Sequence, residues 1–450
     1  MGNIKYEKES FMELKVVKFG GTSMADAKAI NQVAKIIESD PSRRYVVVSA
    51  PGKRFSQDHK VTDLLYACYH DLEINGECKA TFAKIRERFC GIVSDLGLDM
   101  DICAELDRVE QDMVKFRSAE FCASRGEYLS AKIAACRLGM PFVDAKNIVL
   151  FDEEGAFLAE ETNERVGAVL KQHKQAVIPG FFGADAMGNV HTFSRGGSDI
   201  TGAVIARAVR ASLYENWTDV SGFMTADPRI VPNPAPIAML SYRELRELSY
   251  MGANVLHPES IFPVRTSNIP INIRNTFAPA DRGTMIVAEV PADCAHEDII
   301  TGVAGKKGYS IVFIEKSMMN SELGFARRVM SVFEYYNISF EHMPSGIDTL
   351  SIVVADNELA GKEEVLLDRI RKTVAPDHIE IKQGISLIAT VGHGMSFHPG
   401  TAAKLCGALA QANINIRMID QGSSELNIIV GVSTTDYERA IDAIYRAFKG

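Results

Sequence analysis

The chain has 450 residues, 46% of them hydrophobic, which is enough to bury a sizeable core and predicts two or three domains. Its formal net charge of −9 argues against non-specific electrostatic binding to the phosphates of DNA or RNA, so no nucleic-acid partner is expected. No apolar run approaches the length of a membrane span, the charged start does not resemble a signal peptide, and the eight cysteines form no Cys-x-x-Cys pair. We therefore expect a cytoplasmic protein with no membrane contact and no zinc site.

The first half of the chain reads as alternating strands and helices. Short Val-rich apolar runs are typical of strands buried on both faces, and each is followed by a loop and then a helix. The predicted strands are residues 14–19, 45–49, 176–179 and 212–217. The predicted helices are residues 27–38 capped by Asp26, one from a Thr62 cap through Leu72, most of 76–116, 124–138 and 198–209. This alternation predicts an α/β sandwich around a largely parallel sheet.

The second half contains a boundary and an internal repeat. Turn-forming residues predict a first domain of residues 1–297. Beyond it, Gly324–Val354 aligns on Gly400–Val430 without a gap, at an offset of 76 residues. Each copy predicts an amphipathic helix, an Asn in the left-handed conformation, a strand, a Gly turn and a second strand. Two copies with so long a period argue against a solenoid and predict two small α/β modules, residues 298–384 and 385–450.

The first candidate site lies where the first strand ends, in Val17-Lys18-Phe19-Gly20-Gly21-Thr22-Ser23. Glycines let backbone N–H groups approach a polyphosphate, and the start of the following helix adds positive potential. A glycine pair alone could be no more than a tight turn. Lys18 is stronger evidence, because an ammonium at the end of a buried strand needs an anion, such as a transferring phosphoryl group.

A second glycine-rich stretch, Phe193-Ser194-Arg195-Gly196-Gly197-Ser198-Asp199, also opens a helix and offers another anion nest. Arg195 suits bidentate binding of a carboxylate. Asp199 taken alone could be an ordinary acidic residue of a first helical turn. Its position among an Arg, two Gly and a Ser favours a functional role.

Two further clusters carry charge near strand or helix ends. Trp217-Thr218-Asp219-Val220 ends a strand and is soon followed by Thr225-Ala226-Asp227-Pro228-Arg229, and open α/β sheets bind ligands at such strand ends. Ser124-Arg125-Gly126-Glu127 stands at a predicted helix start, where Glu127 could simply cap the helix. Taken singly, each cluster has an equally good structural explanation. Jointly, the two glycine nests and these charges favour a nucleotide-dependent phosphotransferase.

These motifs resemble those of the aspartate kinase family. The matching stretches are Lys-Phe-Gly-Gly-Thr-Ser at 18–23, Ser-Arg-Gly-Glu at 124–127, Ser-Arg-Gly-Gly-Ser-Asp at 194–199, Trp-Thr-Asp-Val at 217–220, Ala-Asp-Pro-Arg at 226–229 and Gly-Ala-Asn-Val-Leu-His-Pro at 252–258. The two C-terminal modules resemble the family's paired, ferredoxin-like ACT domains. The resemblance covers nearly the whole chain and implies a monofunctional enzyme rather than one fused to homoserine dehydrogenase.

The resemblance implies the amino-acid-kinase fold and transfer of the γ-phosphoryl group of ATP, with Mg²⁺, to the β-carboxylate of L-aspartate. The product would be 4-phospho-L-aspartate, the first intermediate toward lysine, threonine and methionine. A carboxylate is already a nucleophile, so alignment of two anions and neutralisation of developing charge suffice without a covalent intermediate.

Residue roles follow from the same resemblance. The catalytic residues would be Lys18 and Asp199, and the aspartate-binding residues Thr62, Glu127 (ammonium group), Arg195 (α-carboxylate) and Ser198. The ATP-binding residues would be Lys18, Gly20, Gly21, Ser23, Thr218, Asp219, Met224, Asp227, Arg229 and Asn254. Met224 stands where many members have Tyr, and Asn254 where many have Lys, so the chain departs from the family at two nucleotide contacts. No protein ligand is assigned to the metal.

The ACT modules imply feedback control and self-association. Because such modules pair side by side between chains, we expect a homodimer or a higher homo-oligomer, with an amino-acid effector at the seam. The expected effector residues are Met319, Ser321, Phe325, Ser339 and Glu341. A helix start at 321–325 would bind the α-carboxylate, and Glu341 on a strand at 339–341 would meet an amino group, which favours lysine over threonine. The modules could instead serve only as a dimerisation platform.

Two other functional hypotheses stay open. Another kinase of this fold, acting on glutamate, acetylglutamate or uridylate, would explain the glycine nests but not the tandem modules. A catalytically silent amino-acid sensor would explain the modules but not the joint presence of four charged residues, Lys18, Glu127, Arg195 and Asp199. ATP turnover measured with aspartate, with glutamate and with no acceptor separates all three.

Overall fold

The computed structural model describes residues 13–450 except 195, 254, 257 and 292–298, and it describes the backbone but not the side chains of 258 and 259. The described residues form two compact units. The first runs up to Phe223 and adds Ala238–Tyr242 and Val255–Glu289, and the second comprises Met224–Ile237, Arg243–Asn254 and Val290–Gly450. The predicted domain boundary at residues 297 and 298 includes residues outside the described part of the chain.

A seven-stranded sheet forms the centre of the first unit. The strands in this unit are β1 (Lys15–Phe19), β2 (Arg43–Val48), β3 (Ala176–Pro179), β4 (Phe182–Ala184), β5 (Val190–Thr192), β6 (Leu213–Thr218), β7 (Met239–Ser241), β8 (Ile271–Asn275) and β9 (Thr284–Val287). The sheet order is β3-β2-β1-β6-β8-β9-β7, and β4 pairs with β5 separately. The described pairs of the large sheet are parallel apart from β8 with β9. The predicted α/β fold with a largely parallel sheet is confirmed.

Helices connect these strands. Those before residue 290 are α1 (Ala27–Glu38), α2 (Val61–Asn75), α3 (Lys79–Leu96), α4 (Ile102–Phe116), α5 (Ala119–Leu138), α6 (Ala159–Leu170), α7 (Gly197–Ala208), α8 (Tyr242–Tyr250) and α9 (Phe262–Arg265). Helix α2 packs on α3 and α5, and α5 also packs on β3. The first residue of helix α8, Tyr242, belongs to the first unit, and the rest of the helix belongs to the second.

Capping residues decide where these helices begin. Asp26 caps α1 as predicted, because its carboxylate accepts a hydrogen bond from the Ala29 N–H at 2.8 Å. Helix α2 begins at Val61, so Thr62 lies in its first turn and the prediction of a Thr62 cap is wrong. Helix α5 begins five residues earlier than predicted, because the Ser118 hydroxyl accepts from the Phe121 N–H at 3.2 Å.

The second unit contains one antiparallel sheet of five described strands. The strands are β10 (Gly302–Glu315), β11 (Thr349–Ala355), β12 (His378–Val391), β13 (Met418–Asp420) and β14 (Asn427–Ser433), in the order β11-β10-β12-β14-β13. The helices are α10 (Phe325–Tyr335), α11 (Asp356–Leu359), α12 (Glu363–Val374), α13 (Thr401–Gln411) and α14 (Tyr437–Lys449). Both β10 and β12 are 14 residues long, and each runs through two hydrophobic cores, one around α10 and α12 and the other around α13 and α14.

The predicted repeat is visible in this unit. Helices α10 and α13 each have 11 residues, and the asparagines that follow them, Asn337 and Asn413, have φ values of 50° and 55° as predicted. The copies differ after that point. The second copy forms β13, whereas the aligned residues 342–344 of the first form no strand, and His342 makes an isolated bridge to Val353. The predicted strand at 339–341 is wrong, because these residues form no strand. Pro344 stands where β13 has Asp420, and a proline offers no N–H to continue the strand ladder.

The proline-rich stretch of residues 224–237 belongs to the second unit. Ala226 and Val231 are buried in the core around α13 and α14. The Val303 N–H donates to the Thr225 carbonyl at 2.7 Å, and the Tyr445 hydroxyl accepts from the Ala235 N–H at 3.2 Å. This stretch therefore packs on β10 and α14 of the same unit. Among the described residues, no helix is both long and apolar enough to cross a lipid bilayer.

Candidate active site

Two adjacent parallel strands bring the predicted catalytic pair together. Lys18 on β1 is in register with Asn216 on β6. The Lys18 Nζ atom lies 2.5 Å from Asp199 Oδ1, and Asn216 Nδ2 donates to the same oxygen at 2.8 Å. Lys18 is only 7% exposed, and Asp199 lies in the first turn of α7. The Asp199 carboxylate thus holds the Lys18 ammonium at the end of a buried strand, and the Asn216 amide holds that carboxylate.

The glycine-rich turn after β1 packs tightly against the segment that follows β2. The Gly52 N–H donates to the Gly21 carbonyl at 2.8 Å, and a Cβ on Gly52 would lie 2.7 Å from the Gly21 carbonyl carbon. Only a residue without a Cβ permits this approach. The neighbouring Thr22 hydroxyl donates to the Asp219 carboxylate at 3.0 Å, which links the turn to the end of β6. Gly20, Gly21 and Asp219 therefore lie at one edge of the sheet.

Ser23 and Thr218 make contacts within the protein. The Ser23 hydroxyl is fully buried and shares a hydrogen bond of 2.7 Å with the Thr276 hydroxyl. The Thr218 hydroxyl donates to Asp219 at 3.2 Å. These contacts brace the turn and the strand end.

Glu127 is a buried carboxylate with one oxygen that lacks a partner. It is 5% exposed, the Ala50 backbone favours its charged form, and its Oε2 atom has no partner among the described residues. Burial raises the pKa of Glu127 to about 8, against the opposing effect of the Ala50 backbone and of the charges on Arg125 and Lys18. An orphaned acceptor in a protein interior is costly unless a ligand satisfies it.

Glu127 was predicted near the start of a helix, but it lies in the interior of one. The Ser-Arg-Gly-Glu motif lies in the middle of α5, and Glu127 is not a cap. The Arg125 guanidinium is buried, contacts the rings of Phe121, Tyr128 and Phe182, and donates to the Ser124 hydroxyl and the Phe121 carbonyl. Gly126 allows α5 to approach Ala50, because a Cβ there would lie 2.6 Å from the Ala50 Cβ. Arg125 and Gly126 therefore fix the position of Glu127 through close packing of α5.

The other predicted aspartate-binding residues are partly described. Ser198 is 8% exposed in the first turn of α7, next to Gly180, where a Cβ would come within 2.6 Å of the Ser198 Cβ. Thr62 is half-buried in the first turn of α2. Arg195 lies outside the described residues.

Three predicted nucleotide residues belong to the second unit and are described there. The Arg229 Nη2 atom lies 2.6 Å from Asp227 Oδ2, and the bond from Arg229 lowers the pKa of Asp227. Met224 forms an isolated bridge with Pro236. Asn254 lies outside the described residues. The Asp227–Arg229 pair is local and largely exposed, so it orders the turn rather than a core.

The predicted effector residues fall into two groups. Met319 and Phe325 are buried in the core around α10, whereas Ser321 and Ser339 are exposed. Glu341 accepts a short hydrogen bond from the Tyr250 hydroxyl of α8. Burial and this carboxylate raise the pKa of Tyr250. The polar members of the set are thus available at a surface, and the apolar members hold the fold.

Asn216 was missed by sequence reasoning. Its signal is a polar pair, Glu215-Asn216, inside the buried strand β6. Glu215 has a structural partner, since Arg43 Nε lies 2.7 Å from its carboxylate and the Trp217 indole N–H donates to it at 2.9 Å. Asn216 instead contacts Asp199. A buried polar residue at a strand end could have drawn attention to it, but its partner could not be known before the topology.

Comparison with known proteins shows the family to which the chain belongs. Residues 13–275 match the amino acid kinase family, and residues 388–448 match the ACT domain. The sequence is 35% identical over 453 residues to aspartokinase 3 of Bacillus subtilis strain 168, which covers 97% of this chain and 98% of that protein. The structure is similar to that of Clostridium acetobutylicum aspartate kinase, with a TM-score of 0.90, 48% identity and coverage of 97% and 100% of the two chains.

Escherichia coli aspartokinase III is a more distant relative of known structure. Its complex with aspartate and ADP, described as the R-state, has a TM-score of 0.75 to this chain at 26% identity, covering 97% of this chain and 100% of that one. Its complex with lysine and aspartate, described as the T-state, has a TM-score of 0.74 at the same identity and coverage.

The fold and the site together define an ATP-dependent kinase of the amino acid kinase family. Within it, the chain belongs to the aspartokinases, and it carries the ACT regulatory architecture at its C-terminal end.

Proposed function

We propose that this enzyme transfers the γ-phosphoryl group of ATP to the β-carboxylate of L-aspartate and releases 4-phospho-L-aspartate and ADP. The main evidence for the substrate is Glu127, a buried carboxylate whose Oε2 atom lacks a partner among the described residues. A substrate ammonium would satisfy that oxygen and return the carboxylate to its charged form. The relatives named for aspartate, one of them in complex with aspartate and ADP, support the same acceptor.

The rest of the substrate would be read by groups around α7. We assign the α-carboxylate to Arg195, whose planar guanidinium suits a two-point contact, and orientation of the substrate to Ser198 and Thr62. Aspartate would be chosen over glutamate by the fixed reach from these groups to the phosphoryl position. This assignment uses the carboxylate and ammonium groups at one end of the acceptor and leaves the β-carboxylate free to react.

The chemical step needs no covalent intermediate. One oxygen of the β-carboxylate attacks the γ-phosphorus in line, and the bond from that phosphorus to the bridging oxygen of ADP breaks, with the electron pair leaving on ADP. Lys18 would neutralise charge that develops on the transferring group, while Asp199 and Asn216 hold the ammonium in place. The Gly20-Gly21 turn would approach the phosphates through its backbone.

The nucleotide contacts are assigned residue by residue. We assign Thr218 and Asp219, together with the turn at Gly20, Gly21 and Ser23, to the phosphate side, and Met224, Asp227, Arg229 and Asn254 to the remaining contacts. The oxygen donors at this edge, Thr22 and Asp219, are of the kind that Mg²⁺ accepts. Mg²⁺ bound with the ATP phosphates would supply further neutralisation of charge.

The proposed reaction is tested by measuring acyl-phosphate formation. Purified enzyme is incubated with ATP, Mg²⁺ and either aspartate, glutamate, succinate or no acceptor, and the acyl phosphate is trapped with hydroxylamine and identified by mass. We expect the hydroxamate of aspartate, and little hydroxamate in the reactions with glutamate, with succinate or without an acceptor. Succinate is the sharpest comparison, because it has both carboxylates and lacks only the ammonium group assigned to Glu127. Equal turnover of succinate would contradict that assignment, and turnover of glutamate alone would contradict the substrate.

We further propose feedback inhibition by an end-product amino acid, with lysine preferred, and assembly into a homodimer or higher homo-oligomer through the ACT modules in the cytoplasm. Glu341 offers a carboxylate for a side-chain ammonium, and the exposed Ser321 and Ser339 offer further polar groups. The E. coli relative in complex with lysine and aspartate supports this choice. Inhibition requires that lysine bind one conformational state better than another, by roughly 1–3 kcal/mol of coupling.

The regulatory proposal is tested by calorimetric titration of lysine, threonine and methionine into the full-length enzyme, with light scattering to measure the oligomer. We expect lysine to bind and threonine and methionine to bind much less. A response to threonine alone would retain the sensor and change its ligand. If no amino acid binds, the modules serve only for assembly.

A further inference from the structure

Arg88 of α3 is a buried cation that the proposed chemistry does not use. It is 6% exposed, and burial lowers the pKa of its guanidinium. Sequence motifs give no reason to notice it, because it lies in the middle of a long helix between the candidate clusters. A buried guanidinium persists only when its N–H groups are satisfied, so its partners show what it holds.

The partners of Arg88 belong to two separate segments of the chain. Its Nη1 atom donates to the Ala25 carbonyl at 3.2 Å and to the Gly52 carbonyl at 3.1 Å. Its Nη2 atom donates to the Asp58 carboxylate at 2.5 Å and to the His59 carbonyl at 3.3 Å. Ala25 directly follows the glycine-rich turn, whereas the other three lie in the segment between β2 and α2. One planar group therefore ties the turn to this segment.

The same two segments form walls of the active site. Gly52 is packed on Gly21 of the turn, with the N–H to carbonyl bond of 2.8 Å described above. Ala50, two residues before Gly52, packs on α5 at Gly126, where a Cβ would lie 2.6 Å from the Ala50 Cβ, and its backbone favours the charged form of the adjacent Glu127. The segment ends at α2, whose first turn carries Thr62. The distance between the proposed phosphate turn and the proposed aspartate contacts thus depends on how this segment is held.

We propose that Arg88 is a positioning residue for phosphoryl transfer, fixing the glycine-rich turn relative to the segment that carries Ala50 and leads to Thr62. This inference rests on the proposed function. Misplacement of reacting groups by about 1 Å can lower turnover by roughly a hundredfold. Asp58 would not be left unpaired without Arg88, because Arg54 also donates to its carboxylate, through Nε at 2.8 Å. Substitution of Arg88 is therefore expected to leave a folded protein with a looser site.

The test compares kcat and KM in Arg88→Met, Arg88→Lys and a control, Arg86→Met. Methionine keeps the buried apolar stem and removes the donors, while lysine keeps the charge but cannot reach acceptors in both segments at once. Arg86 lies on the same helix, is 30% exposed in its side chain, and pairs with Asp107 and Glu110 at the surface. We expect kcat at saturating ATP and aspartate to fall tenfold or more in both Arg88 variants and less than twofold in Arg86→Met.

Thermal unfolding separates a positioning role from a structural one. The activity comparison is made well below the melting temperature of each variant, so that the folded fraction is the same. If Arg88→Met does not fold, Arg88→Lys decides. A folded Arg88→Met with wild-type kcat would overturn the proposal. Full kcat in Arg88→Lys would also overturn it, because the positive charge of Arg88 would then be sufficient and its hydrogen bonds to both segments would not be needed. Wild-type enzyme that forms no acyl phosphate from aspartate would instead contradict the proposed function.

Discussion

The catalytic site of the first unit and the effector region of the second differ in how their polar groups are buried. In the first, Lys18 and Glu127 are almost fully buried, and the Glu127 Oε2 atom has no partner among the described residues. In the second, Glu341 has a partner in the Tyr250 hydroxyl, and Ser321 and Ser339 are exposed. The first region thus leaves a buried oxygen without a described partner, whereas the polar groups of the second are bonded or exposed to solvent.

Because of this difference, the catalytic-site and effector-site assignments depend on different kinds of evidence. A buried, unsatisfied carboxylate destabilises the protein by an amount comparable to a lost hydrogen bond, so its retention indicates a ligand. Surface groups that water can satisfy give no such indication. The chemistry of the catalytic site can therefore be argued from its own contacts. The effector assignment depends on the ACT fold and on similarity to relatives, and its residues are expected to respond less to substitution.

The largest effect is expected from Lys18→Ala. Removing one preorganised cation from the site of developing charge should lower kcat by about a hundredfold or more. Lys15→Ala is the matched control, because Lys15 lies on the same strand and pairs with Asp40 at 2.9 Å away from this chemistry. Steady-state kinetics with circular dichroism on both variants make the comparison. Near-normal turnover in folded Lys18→Ala would remove Lys18 from the mechanism.

Arg195 is expected to act on binding more than on turnover. Arg195→Ala should raise the KM for aspartate by roughly ten- to a hundredfold, since a hydrogen bond to a charged group is worth about 1.5–3 kcal/mol. The KM for ATP should change much less. Arg195→Lys should recover little, because an ammonium cannot reproduce the planar two-point contact. An unchanged KM for aspartate in both variants would refute the assignment of Arg195 to the α-carboxylate.

The smallest effect is expected in the effector region. Glu341→Gln should weaken lysine binding by about two- to fivefold, because an ion pair at a partly exposed site contributes up to about 1 kcal/mol. Basal kcat without lysine should be unchanged. Glu334→Gln on the exposed part of α10 is the control. Calorimetry gives the affinities, and identical values for wild type and Glu341→Gln would exclude Glu341 from the effector site.

Local sequence signals predicted elements better than they predicted their environment. The Asp26 cap and the left-handed Asn337 and Asn413 depend on neighbouring residues alone, and all three are confirmed. The start of α5 was missed, because Ser118 caps the helix five residues before the motif that drew attention. The strand predicted at 339–341 is wrong, because these residues form no strand and the isolated bridges of this region begin at His342.

The site geometry could be predicted only in part, because its decisive contacts join distant residues. Lys18 and Asp199 were chosen from their motifs, and the structure brings them within 2.5 Å. Asn216 and Arg88 were not chosen, since neither belongs to a motif and their partners are 17 to 63 residues away in sequence. The raised pKa of Glu127 likewise follows from burial in α5 against Ala50, which no local pattern encodes.

The central claim is that buried Glu127 receives the ammonium group of aspartate. Its pKa of about 8 means that the free carboxyl is mostly protonated at pH 7, whereas the bound ammonium requires the ionised form. Aspartate binding should therefore release a proton, and release should diminish as the pH rises above 8. Titration calorimetry of aspartate with ADP present, in buffers of different ionisation enthalpy at pH 7, measures it. We predict release of roughly 0.9 proton per site in the wild type and none in Glu127→Gln; a heat independent of buffer in the wild type would contradict the claim.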